Sequence, residues 1–218
     1  MAEKVVLGYW PLRAKAQVAQ TILEFAGAEY EIKRYTFDNT QEWFGNDKPN
    51  LGLQFPNLPY ILHGDVKLTE TLAIWRYLCR QFAPDLLGKT PEEQTTVDEL
   101  LYFLKAVERD PYNTCYRADY EDVLADVLTK AKTKLAHLEN FAGDKQFLLG
   151  AEVSLPDLVF TEFGLIADLV GISLAEEFPR LSAIRERVNA LEFMEKFRGS
   201  DRYIEKGLVG PNAPLRDF

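Results

Sequence analysis

Cysteine, histidine and methionine are scarce, with two of each in 218 residues. Cys79 and Cys115 are too few for a disulfide framework and too far apart for a CxxC redox pair. No Asn-x-Ser/Thr acceptor occurs, and both absences fit a reducing, cytosolic compartment. His63 and His137 are isolated in the sequence, so no metal is expected. No uncharged apolar run approaches the ~18 residues of a membrane helix. The first ten residues, MAEKVVLGYW, carry Glu3 and no long apolar stretch, which argues against a secretory signal. Basic charge is short as well: 25 Lys and Arg stand against 34 Asp and Glu, a net of −9. A nucleic-acid binder needs a basic face, so that class is disfavoured. GxGxxG and GxSxG are both missing. Gly88-Lys89-Thr90 resembles the end of a phosphate-binding loop, but the glycine required five residues earlier is Ala83.

What is there reads as a globular chain of one large or two small domains. Val5-Val6-Leu7 is a short β-branched run, read as a buried strand. The spacing of Val18, Ile22, Leu23 and Phe25 predicts a helix over 14–26 that Gly27 ends. Residues 30–35 alternate and read as a second strand, and 36–58 read mostly as loop. Residues 60–63 and 66–69, joined by Gly64-Asp65, read as a hairpin, and 70–80 as a helix. Beyond a linker at 81–89 there is no strand pattern of similar strength. Thr90-Pro91-Glu92-Glu93 and Ser154-Leu155-Pro156-Asp157 both read as capped helix starts. Pro179 and Gly199 punctuate two shorter helices. The expected architecture is a small α/β unit over 1–82 followed by an all-α unit over 90–218. The first 85 residues hold nine basic and ten acidic side chains, so the acid lies mainly in the helical part.

Three features of the first unit bear on chemistry. Tyr9-Trp10-Pro11 ends the first strand, and strand ends are where α/β sheets bind ligands. Phe55-Pro56-Asn57-Leu58-Pro59-Tyr60 places a proline at the start of a strand. With a cis Leu58–Pro59 bond, the backbone of Leu58 offers a donor and acceptor to a peptide-like ligand. Leu68-Thr69-Glu70-Thr71 enters a helix, where first-turn N–H groups, a hydroxyl and a carboxylate suit a zwitterionic amino-acid head. Taken singly, each has a plain structural explanation: aromatics packing at a sheet edge, a rigid turn and an ordinary cap.

Taken together, they resemble a known family. The chain looks like a cytosolic glutathione transferase and within that family most resembles the mu class. The residues that carry the resemblance are 7–10 (LGYW), Trp43, Lys48, 51–60 (LGLQFPNLPY), 69–74 (TETLAI), Cys115-Tyr116 and the capping sequence at 154–157. The resemblance spans nearly the whole chain. It implies an α/β thioredoxin-like N-terminal domain (1–82) that binds glutathione, and an all-α C-terminal domain (90–218) that contributes the electrophile site. It implies a detoxification-type conjugation of glutathione to a hydrophobic electrophile, with Tyr9 donating a hydrogen bond to the thiolate and Tyr116 facing the electrophile as an acid. It further implies that Trp10, Trp43 and Lys48 hold the glycyl end of glutathione. Asn57 and Leu58, before Pro59, take its cysteinyl backbone, and Glu70 and Thr71 its γ-glutamyl end. A cytoplasmic homodimer is expected, with no metal, nucleic-acid or membrane partner.

Some positions depart from the mu pattern. Only residues 36–42 separate the second strand from Trp43, so the loop beside the site is short and a binding-site arginine is missing. Lys15 stands where mu enzymes have leucine, and two readings are open: a lysine that favours thiolate or anionic substrates, and a helix lysine facing solvent, which is the one expected. Ala106 replaces an aspartate that reaches the partner subunit's glutathione, with Glu108 and Asp110 nearby. Two rival functions share the fold: a glutathione-dependent isomerase and a non-catalytic ligand-binding relative. A glutaredoxin-like thiol exchanger is disfavoured, because residues 8–20 contain no cysteine.

Overall fold

The computed structural model describes residues 3–216. Four strands form one mixed sheet in the order β2-β1-β3-β4: β1 (Val5–Tyr9), β2 (Tyr30–Arg34), β3 (Tyr60–His63) and β4 (Val66–Leu68). β1 runs parallel to β2 and antiparallel to β3, which pairs antiparallel with β4. The parallel pair is joined through α1 (Ala14–Phe25), as a parallel connection requires. The β3–β4 turn is Gly64-Asp65, and Gly64 has a φ of +59°, a conformation glycine adopts without steric penalty.

The two faces of the sheet are packed differently. Val5, Leu7, Tyr9 and Ile61 face α1 and α3 (Thr71–Phe82) in one continuous core that extends into the helical part. The opposite face carries a small aromatic core of Tyr35, Trp43, Leu53 and Tyr60. Trp43 stacks on Tyr60 at 5.8 Å, and the hydroxyls of Tyr35 and Tyr60 lie 2.9 Å apart. Gly8 pairs with Tyr60, and a Cβ at Gly8 would lie 2.2 Å from the tyrosine ring. The glycine therefore lets the ring lie flat on β1.

The helical part holds α4 (Pro91–Thr114), α5 (Tyr120–Ala142), α6 (Leu155–Leu169), α7 (Leu174–Glu177), α8 (Pro179–Asn189) and α9 (Glu192–Arg198). Both expected capped starts are present. Glu93 N–H donates to the Thr90 hydroxyl at 3.2 Å, and Thr90 N–H to the Glu93 carboxylate at 3.2 Å. Asp157 is completely buried and accepts from Ser154 N–H at 2.8 Å, the Ser154 hydroxyl at 2.5 Å and Leu148 N–H at 2.7 Å. Glu139 of α5 caps α8 from outside, accepting from the N–H groups of Arg180 and Leu181 at 3.0 Å each.

Two stretches differ from expectation. Within 36–58, residues Glu42–Asp47 form a wide helical turn that runs into α2 (Lys48–Asn50). Gly45, Asn46 and Asn50 disfavour helix locally. Tertiary contacts hold it: Trp43 is buried, and the Tyr35 hydroxyl donates to Asp47 at 2.6 Å. The 81–89 stretch also contains a helical turn, Pro84–Leu87, whose Leu86 is fully buried. It is packed into the core rather than extended as a free linker. Among the described residues, no helix is long and apolar enough to cross a membrane.

Replacing Asp157 with alanine leaves two buried backbone N–H groups without their acceptor. An unsatisfied buried donor costs about 1–3 kcal/mol. Asp157→Ala is expected to lose roughly 2–4 kcal/mol, read from the denaturant midpoint. A loss under about 0.5 kcal/mol, the ordinary surface value, would contradict this role.

Candidate active site

A cleft of about 330 Å³ opens between the sheet end and the helical part. Tyr9, Trp10 and Leu12 enter it from the end of β1, and Trp43, Phe44 and Lys48 from the turn at 42–48. Asn57 and Leu58 line it from the loop before β3, Tyr112 and Tyr116 from the end of α4 and beyond. The C-terminal segment closes it with Gly210, Pro211 and Asn212. Seven of the expected site residues thus meet in one place: Tyr9, Trp10, Trp43, Lys48, Asn57, Leu58 and Tyr116. Pro59, Glu70 and Thr71 do not line it. Pro59 is buried behind Leu58, and the Leu58–Pro59 bond is cis. Glu70 and Thr71 stand at the head of α3, where exposed Glu70 has a φ of +69°, a strained conformation for a residue with a Cβ.

Tyr9 is buried at the cleft floor. Burial, and then the nearby Tyr116 and Glu108, push its hydroxyl well above the usual tyrosine range, against a backbone hydrogen bond from Lys15. Tyr112 is raised in the same way, by burial first and by Tyr9 next. Both phenols therefore keep their protons at neutral pH and can donate hydrogen bonds. The Tyr116 hydroxyl accepts from Gly210 N–H at 2.7 Å and lies 3.2 Å from the Tyr112 hydroxyl. Leu58 N–H is held by the Asn57 side-chain oxygen at 2.9 Å.

Several cleft residues escaped the reading of the sequence. Phe37 and Phe44 are exposed and gather on Trp10, at 5.3 and 6.0 Å between ring centres. Tyr112 sits four residues before Tyr116, one helical turn away, a spacing that places both on one face. Lys15 does not face solvent as expected. It is half-buried in the cleft, with its ammonium 5.5 Å from the centre of the Tyr112 ring. Burial and then Lys105 lower its ammonium below the ordinary lysine range, while Glu108 and Glu70 act in the opposite sense. Glu108 lies in the small cavity behind the cleft with Lys15 and Tyr112. The backbone carbonyl of Ala106 accepts from Lys134 of α5 at 2.8 Å.

The chemistry available to this cleft is limited. Its lining holds two lysines, three phenols and two amides, with no carboxylate, histidine or cysteine among the described residues. Both thiols of the chain are buried, and burial pushes Cys79 up to about 12. The cleft can bind an anion and stabilise negative charge, but the nucleophile has to arrive with a substrate.

Comparison with known proteins identifies the fold. The family model for the glutathione S-transferase N-terminal domain matches residues 5–80, and that for the C-terminal domain matches residues 92–192. The chain belongs to the glutathione S-transferase family. It is similar to the class-mu 26 kDa isozyme 51 of Fasciola hepatica, with 33% identity over 91% of this chain and 90% of that one. It is also similar to glutathione S-transferase Mu 4 of Homo sapiens, at 30% identity over 94% of each chain. The glutathione S-transferase Blo t 8 superimposes with a TM-score of 0.86 at 26% identity, covering 97% of this chain and all of that one. The N-terminal part of the transferase is thus the thioredoxin-like domain, and the rest is the family's helical domain.

One buried ion pair fixes the geometry of this transferase's cleft. Arg13, just before α1, donates two hydrogen bonds to Glu162 of α6, at 2.7 and 2.9 Å. It also donates to the carbonyls of Ile204 and Glu205 at 3.2 and 3.3 Å, and its own N–H bonds the Gly207 carbonyl at 3.0 Å. It thereby ties β1, the helical domain and the segment leading to Gly210. Arg13→Met leaves Glu162 as an unpaired buried carboxylate, a change that costs about 3–5 kcal/mol. Denaturation is expected to show that loss, and the Arg13→Met/Glu162→Leu double variant is expected to recover part of it. A double variant no more stable than the single would refute a buried-charge penalty.

Proposed function

We propose that this transferase conjugates reduced glutathione to hydrophobic electrophiles, with the Tyr9 hydroxyl stabilising the thiolate. The observation that carries the reading is a buried, protonated phenol at the floor of a cleft that holds two lysines and no acid. Glutathione bears net negative charge, and a basic cleft in a chain of net charge −9 favours it locally. Lys48, Trp10 and Trp43 take the glycyl end in this reading. Leu58 offers its backbone to the cysteinyl unit, its N–H exchanging the Asn57 side chain for the ligand. Glu70 and Thr71, at the head of α3, take the γ-glutamyl end. The helical domain, over 90–218, contributes the electrophile wall through Tyr112 and Tyr116, with Tyr116 as the acid for reactions that need one.

A free thiol with a pKa near ~8.5 is only slightly ionised at neutral pH. A hydrogen bond to a charged group contributes about 1.5–3 kcal/mol. At about 1.36 kcal/mol per unit, a bond from Tyr9 lowers the thiol pKa by roughly 1–2 units. Much of the bound thiol is then nucleophile. A phenol suits this role because it donates without releasing its proton. We place the enzyme in the cytoplasm as a homodimer. The exposed Phe55, on the loop ahead of Asn57, and the exposed Tyr102 of α4 offer apolar surface to a second copy.

The test is conjugation of glutathione to an activated chloronitrobenzene, wild type beside Tyr9→Phe. The variant is expected to lose about tenfold or more in kcat, with little change in glutathione affinity. A wild type that binds glutathione and conjugates nothing above background would overturn the reading in favour of a binding relative or an isomerase.

A further inference from the structure

We propose that Lys15 makes the electrophile half of the cleft a receptor for anionic electrophiles, those carrying a carboxylate or a comparable group. This inference rests on the transferase reading above and names a substrate class for it.

The two cations of the cleft belong to different walls. Lys48 begins α2, in the turn beside Trp43, and its ammonium lies 5.6 Å from the Phe44 ring. That is the side assigned to glutathione. Lys15 starts from the opposite side. Its backbone reaches the Tyr9 hydroxyl, while its side chain carries the ammonium across to α4 and over the Tyr112 ring. Tyr112 neighbours Tyr116, so the ammonium stands on the helical wall, and of the residues assigned to glutathione only Tyr9 and Glu70 face it. In the reading above, glutathione gives its glycyl carboxylate to Lys48, its thiolate to the Tyr9 hydroxyl and its γ-glutamyl end to Glu70 and Thr71, so none of its anions is assigned to the Lys15 ammonium.

The surroundings of Lys15 do not neutralise it. None of the ion pairs among the described residues includes it. The groups that face it are Tyr9 on β1, Lys105, Glu108 and Tyr112 on α4, Glu162 on α6 and Glu70 ahead of α3. Glu162 is already taken by Arg13. Lys105 adds like charge, and Glu108, which shares a small cavity with Lys15, offsets part of the charge without forming an ion pair. A half-buried ammonium with incomplete compensation, open to the cleft on one side, gains from an anion placed there. The Tyr112 ring below it supplies a flat apolar surface for the body of the same molecule.

In the reaction envisaged, the glutathione sulfur bonds the ring carbon of an aryl chloride, the carbon–chlorine bond breaks, and chloride leaves with its electron pair. The thiol proton has already gone to solvent. Lys15 takes no part in that exchange. It holds the substituent that orients the ring.

The experiment compares a chlorodinitrobenzoate with its methyl ester as electrophiles for the dimeric wild type, Lys15→Met and Lys15→Arg. The readout is the acid-to-ester ratio of kcat/KM, corrected for the uncatalysed ratio. The wild type is expected to favour the acid. Lys15→Met is expected to lower the ratio about tenfold, mainly through KM for the acid, and Lys15→Arg to retain it. An unchanged ratio in Lys15→Met overturns the inference. So does an equal fall for both electrophiles, which would put Lys15 at the thiolate instead. A wild type that turns over the ester but shows no preference for the acid overturns this inference and leaves the transferase reading standing. A wild type that converts neither overturns both.

Discussion

The hydroxyl of Tyr9 lies at the end of β1 beneath the helical domain, where there is little solvent to stabilise a phenolate. Desolvation there disfavours the charged form of any group, and the neighbouring Tyr116 and Glu108 add to it. The proton is held in place, aimed into a cleft whose lining has no acceptor acid among the described residues. That single constraint decides what the site can do. It cannot act as a base, and it has no nucleophile of its own. It is a donor waiting for an anion, and in the proposed function the thiolate of glutathione is that anion.

The rest of the fold serves that geometry. Gly8 lets the Tyr60 ring lie against β1, which anchors the aromatic core beneath Trp43 and the turn bearing Lys48. Arg13, four residues after Tyr9, locks the same segment to α6 and to the chain leading to the cleft's C-terminal rim. The intervening Ala14 has a φ of +28°, and Lys15 follows. Strain of this kind costs on the order of 1–3 kcal/mol and persists where surrounding contacts over-determine the backbone. Here the Arg13–Glu162 pair on one side and the start of α1 on the other fix the turn from which Lys15 enters the cleft.

Much of this was legible in the sequence, for local reasons. The buried run at Val5-Val6-Leu7, the Gly64-Asp65 hairpin and the two capping sequences are short-range signals, and each forms the expected element. Tyr9, Trp10, Lys48 and Leu58, named by the resemblance that a few specific motifs carry, line one cleft. The misses have long-range causes. The turn at 42–50 is held by Trp43 burial and the Tyr35–Asp47 bond, neither visible in local propensity. Lys15 reads as a surface helix lysine until α4 is placed opposite it. Tyr112 was within reach from its four-residue spacing to Tyr116. The part played by Gly210, Pro211 and Asn212 depends on the return of the C-terminal segment over α4, where Leu215 N–H bonds the Cys115 carbonyl at 3.3 Å.

The central claim is that the Tyr9 hydroxyl donates to the sulfur of bound glutathione. The most direct measurement is an ultraviolet titration of the thiolate of glutathione bound to wild type and to Tyr9→Phe. The account predicts a bound thiol about 1–2 units below its free value in the wild type, returning most of the way to ~8.5 in the variant. A wild-type thiol that titrates at the free value, or a lowered value that survives loss of the hydroxyl, would contradict it.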